Sequence, residues 1–140
     1  MTTVEIAEKK SRWRAVAFLS LAVITFTVMV FDTGGSATDF TQGLWFGLIV
    51  GSALNLLPMK RLLRPNDEVL KLMDDEGTRE NRRLSSTIGF WAAIVTALSV
   101  GLFSRYSGAI DAWLMGQLVA TAGMVAAMVT FGLLELRAAR

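Results

Sequence analysis

AWLMGQLVATAGMVAAMVTFGLL, residues 112–134, runs for 23 residues without a charged side chain. At 1.5 Å of rise per residue it makes a helix of about 35 Å, enough to cross a hydrocarbon core of about 30 Å. A soluble helix of this length would set charges on its water-facing side. Here the polar side chains are Gln117, Thr121 and Thr130, none of them charged. The stretch therefore reads as a membrane span, and it sets the reading of the remainder.

Three further apolar segments lie upstream: Ala15–Phe31, Thr41–Leu57 and Leu84–Phe103. None holds an ionisable residue in its interior. The second is the most polar and, with the first, the shortest. The basic front of the first, KKSRWR, resembles that of a signal peptide. Its 17 apolar residues are too many for a signal core, and no small-residue cleavage site follows, so it reads as a retained span. The expected fold is an all-α integral membrane protein: four transmembrane helices in two hairpins, one domain over residues 1–140. A segment over 58–83, containing an amphipathic helix, joins the hairpins. An offset of 72 residues aligns Phe31 with Phe103 and Asp39 with Asp111, a similarity of plan between the two hairpins.

Basic residues give the orientation, because they collect on the cytoplasmic side. Thirteen of the fourteen fall in the N-terminal arm, the central segment and the C-terminus, and Arg105 is the exception. Both termini and the central segment are therefore expected in the cytoplasm, with the chain in the bacterial inner membrane. The turns DTGGSATDF and SRYSGAID lie on the other side.

Helices in lipid associate by close packing, which small residues permit. Gly43, Gly47 and Gly51 share one face of the second segment. Gly89, Ala93, Ala97 and Gly101 do the same on the third, and Gly116 and Ala120 on the fourth. These are the expected packing stripes, within the bundle or, for one of them, in a homodimer. Asn55 and Gln117 are the intramembrane amides, suited to fixing register between helices. Asp39 and Asp111 begin the second and fourth helices and read as helix caps.

The composition removes much chemistry. There is no cysteine and no histidine, hence no disulfide, thiolate ligand, imidazole ligand or imidazole base. No motif sets a base beside a nucleophile, so no catalytic residue, metal site or cofactor is expected. Small multidrug exporters are also four-span proteins of this size, and they use a carboxylate in the first span. The first span here has none, which argues against proton-coupled export of cations.

What remains is RPNDEVLKLMDDEGTRENRR, residues 64–83. Asn66 caps an expected helix, with Val69, Leu72 and Met73 on one face and Asp67/Lys71 paired four apart on another. Gly77 ends or kinks it, and Thr78 caps a second short helix able to run on into the third span. Five bases against six acids leave the stretch at −1, which suits neither anionic lipid nor nucleic acid. A cytosolic protein with a basic surface fits better. The expected docking residues are Leu70, Met73, Asp74, Asp75, Glu76, Arg79, Glu80 and Arg83.

Asp75, Glu76, Thr78 and Arg79, followed by Gly89 and Phe90, resemble the central region of small bacterial four-span membrane proteins. The genes of such proteins often lie beside that of a small DNA-binding regulator of helix-turn-helix or LytTR type. The resemblance covers about thirty residues, and it implies a membrane protein that restrains its cognate regulator. Two alternatives stand beside it: a small subunit or assembly factor of a larger membrane complex, and a small transporter or channel.

Overall fold

The computed structural model describes residues 3–32, 38–56, 76–108 and 110–138. They form four helices: α1 (Thr3–Phe31), α2 (Asp39–Leu56), α3 (Glu76–Ser107) and α4 (Ala112–Ala138). Local chemistry marks their ends. Thr38 caps α2, its Oγ1 accepting the Thr41 N–H at 3.2 Å while its own N–H donates to Thr41 Oγ1 at 2.9 Å. This is a capping box in which a threonine takes the place usually held by glutamate. Asp39 follows the cap, in the first turn. Asp111 caps α4 by accepting the Leu114 N–H at 2.7 Å. At the end of α3, Gly108 takes φ 62° and its N–H bonds the Ser104 carbonyl at 2.8 Å. That left-handed residue is the usual stop for a helix, and glycine adopts it without a Cβ penalty.

The central helix is α4. It packs along α3 and along α1, while α2 lies mainly on α1 and touches α4 lightly. Along α1 the buried residues are Ala15, Phe18, Ala22, Thr25, Met29 and Asp32, steps of three and four that define a coiled-coil-like seam. Phe18, Ala22, Met128 and Phe131 form its apolar middle, with the Phe18 and Phe131 rings edge to face at 5.0 Å. The α3–α4 contact is closer and rests on small residues. A Cβ on Gly89 would stand 2.6 Å from the Gly123 carbonyl oxygen and 2.8 Å from Ala127 Cβ. Only backbones without that atom can approach so closely.

Two expectations are corrected here. The described residues hold three helices long and apolar enough to cross a membrane: Ser11–Phe31 within α1, Gly77–Ser107 within α3, and α4. The second segment, expected as a fourth span, is not among them. Polar Asp39, Thr41 and Gln42 at its start and Asn55 near its end leave 12 residues between, about 18 Å of helix. Nor, among the described residues, does a separate amphipathic helix precede the third span. From Glu76 onward the charged residues belong to α3 itself, in one helix of 32 residues. The expected helix over Asn66–Asp75 lies outside the described residues.

Candidate functional site

The bundle buries one carboxylate near each end of the α1–α4 seam. Both stand one residue beyond an apolar run, where the helix carries the seam past the lipid-matching stretch.

Glu135, in the last turn of α4, is 2% exposed. Ser11 Oγ and Arg14 Nη2, both on α1, donate to its Oε2 at 2.7 Å each. Asn81 Nδ2, on α3, donates to its Oε1 at 3.2 Å. Three helices thus converge on one side chain. Arg14 also lies over the Phe131 ring, 5.3 Å from its centre, so the guanidinium is held by charge and by the ring face together. A buried carboxylate with a charged partner and two neutral donors is fully accommodated, and it fixes the register of α1, α3 and α4 at this end.

Asp32, immediately after α1, is 6% exposed. Gln117 Nε2 on α4 donates to its Oδ2 at 2.6 Å, and Thr41 Oγ1 on α2 donates to its Oδ1 at 2.9 Å. One turn from Gln117, Thr121 Oγ1 accepts the indole N–H of Trp45 at 2.9 Å. The Trp45 ring meets Trp113 edge to face at 6.0 Å. Thr41 of α2 and Gln117 and Thr121 of α4 therefore gather on the Asp32 end of the seam, with two indoles beside them.

Of the expected packing residues, Gly89 and Ala93 face α4, and Gly101 stands 3.6 Å from Met115 Cε when given a Cβ. Ala97 and Ala120 are half-buried. Gly43, Gly47, Gly51 and Gly116 would meet nothing within 4 Å. Of the two amides, Gln117 bridges helices, whereas Asn55 bonds the Gly51 carbonyl of its own helix at 3.0 Å.

Of the expected docking residues, Leu70, Met73, Asp74 and Asp75 lie outside the described residues, and Glu76 begins α3. Arg79, Glu80 and Arg83 are exposed on the first turns of α3. The other face of the same turns carries Thr78, Asn81 and Ser85, of which Thr78 and Ser85 are buried and Asn81 reaches Glu135. Sequence reasoning missed Asp32, Glu135 and Trp45. The signal was present in the three- and four-residue steps from Ala15 to Asp32, and in those from Met128 through Phe131 to Glu135. Comparison with family models, curated proteins and solved structures finds no match. The geometry and the sequence carry the functional reading.

Proposed function

We propose that this membrane protein is a regulatory element of the bacterial inner membrane that binds and restrains a soluble partner, a transcription regulator, at its charged end. One observation carries the reading: Asn81 on α3 is hydrogen-bonded to buried Glu135 on α4. That bond holds the charged turns of α3 as a rigid extension of the span, with Arg79, Glu80 and Arg83 facing outward. A rigid, exposed, mixed-charge helix face is a suitable docking surface, since little order is lost when a partner binds. Among the described residues the same end carries Lys9, Arg12, Arg14, Arg79, Arg82, Arg83 and Arg137, and Arg105 alone stands at the other, which favours a cytoplasmic charged end. A regulator held there would be kept from its operator.

The test is co-purification of the tagged, full-length protein from membranes. A DNA-binding partner should be recovered, and combined reversal at Arg79→Glu, Glu80→Lys and Arg83→Glu should release it. Recovery of the same partner by the triple variant would place docking elsewhere. A second reading, a subunit of a larger membrane complex, is favoured by the bare glycine face of α2 at Gly43 and Gly47. Crosslinking from position 47 to another membrane protein, with no soluble partner recovered, would support it instead.

A further inference from the structure

α3 has two faces of opposite design. Toward α4 it turns Gly89 and Ala93, which pack on Gly123. Two residues on, about 200° round the helix, Trp91 and Val95 stand on the other side. They belong to a row, Leu84, Ile88, Trp91, Val95, Leu98 and Leu102, whose steps are four, three, four, three and four. That is the 3.5-residue repeat of a coiled-coil seam. The six side chains are 39% to 65% exposed, and α3 is the least covered of the three spans.

We propose that this face of α3 pairs with α3 of a second copy, making a parallel two-fold dimer in the membrane. Copies inserted in one orientation meet with their α3 helices parallel, and a face that meets itself closes the assembly at two. The side chains select this partner. Ile88 and Val95 fall at heptad position a, and Leu84 and Leu98 at position d, the order that favours two parallel strands. Lipid requires only that the face be apolar, whereas a partner helix requires knobs at this spacing. The six side chains present on the order of 600 Å² per copy, comparable with the roughly 800 Å² per partner of a stable interface. Trp91 adds a polar reason. It stands about 10 Å beyond Leu84 along the apolar stretch, and its indole N–H has no acceptor among the described residues. Acyl chains offer none. A second copy offers Thr87 Oγ1, one turn away at the edge of the same face, whose own proton goes to the Arg83 carbonyl at 3.0 Å. This inference does not rest on the docking reading, although the pairing would set the charged turns of two α3 helices side by side.

The chain has no cysteine, so single introduced cysteines report contacts directly. In a symmetric parallel pair each seam residue meets its own copy. Full-length Ile88→Cys, Val95→Cys and Leu98→Cys, oxidised in native membranes, should form disulfide-linked dimers. Phe90→Cys and Phe103→Cys are the controls. Phe90 and Phe103 are 60% and 59% exposed, as open as the seam, but each lies about 100° or more from Trp91 round α3. Their crosslinking should be about fivefold weaker, because their Cβ atoms point away from the partner. Val95→Ala with Leu98→Ala should weaken the dimer in detergent about tenfold by analytical ultracentrifugation, since each lost contact counts twice across a two-fold axis. Both residues face away from α4, so helix content by circular dichroism should match the parent, which separates lost pairing from lost folding. Four results would overturn the proposal: equal crosslinking at seam and control positions, a maximum at Gly47→Cys of α2, crosslinking only to a different membrane protein, or a monomer with every seam cysteine.

Discussion

Asp32 and Glu135 stand at opposite ends of one helix seam, and only Glu135 has a charged partner among the described residues. Between them the seam is apolar, built on Phe18, Ala22, Met128 and Phe131. The polar ends set register, and the apolar middle supplies contact area. In lipid this division is expected, because apolar contact alone discriminates poorly between a protein neighbour and an acyl chain.

The Arg14–Glu135 pair should behave as a buried ion pair, expensive to break by halves. Arg14→Ala leaves Glu135 buried beside two neutral donors and strips the guanidinium from the Phe131 ring. The expected loss is about 3–5 kcal/mol. The double variant Arg14→Met with Glu135→Leu should recover most of that loss, because no charge is left stranded. Thermal unfolding in detergent of Arg14→Met, Glu135→Leu and the double variant measures the coupling. Additive losses would show that the pair acts through two unrelated environments.

Glycines in similar patterns should respond oppositely to added bulk. At Gly89 a methyl group meets the Gly123 carbonyl oxygen at 2.6 Å, so Gly89→Ala must push α3 from α4 at a cost of about 1–3 kcal/mol. At Gly47 the methyl meets nothing within 4 Å, and Gly47→Ala should be neutral or stabilise the helix by up to about 1 kcal/mol. Melting curves of the two variants decide the matter. A strongly destabilised Gly47→Ala would instead reveal a partner covering the bare face of α2.

The apolar runs of α1, α3 and α4 were legible because length and charge exclusion are strong signals in one dimension. Three features were not. Asp32 and Glu135 each fall one residue outside an apolar run ending at Phe31 or Leu134, so reading by hydropathy cuts off the residues on which the helices converge. The span status of α2 was misread, since its apolar centre is bordered by Gln42 and Asn55 and is too short to cross a bilayer. The stripe Gly43, Gly47 and Gly51 has the same spacing as the stripe through Gly89. Spacing reports that a close approach is sterically allowed, not which neighbour makes it.

The indole N–H of Trp45 should show the cost of an orphaned donor. Thr121→Val removes its acceptor while keeping the shape of the side chain. A buried, unsatisfied N–H costs about 1–3 kcal/mol. The expected sign is a lower Tm together with a shift of tryptophan emission, since the Trp45–Trp113 contact relaxes when the hydrogen bond is lost. An unchanged Tm would mean that water reaches the indole from the Asp32 end.

The bond from Asn81 to Glu135 should decide whether the charged turns of α3 stay helical. Asn81→Leu deletes the donor and leaves Glu135 with Arg14 and Ser11. A hydrogen bond to a charged group contributes about 1.5 kcal/mol or more, which corresponds to roughly tenfold more frequent local opening of the first turns. Trypsin reads this directly, because Arg79, Arg82 and Arg83 are its targets and a protease cuts unfolded backbone. Inside-out vesicles should show faster cleavage of the variant at these arginines, while right-side-out vesicles should show none in either protein. Equal cleavage of variant and parent would mean that the extension is held by the burial of Thr78 and Ser85 and owes nothing to Glu135. Cleavage from the right-side-out face would reverse the orientation and remove the charged end from the reach of any cytoplasmic regulator.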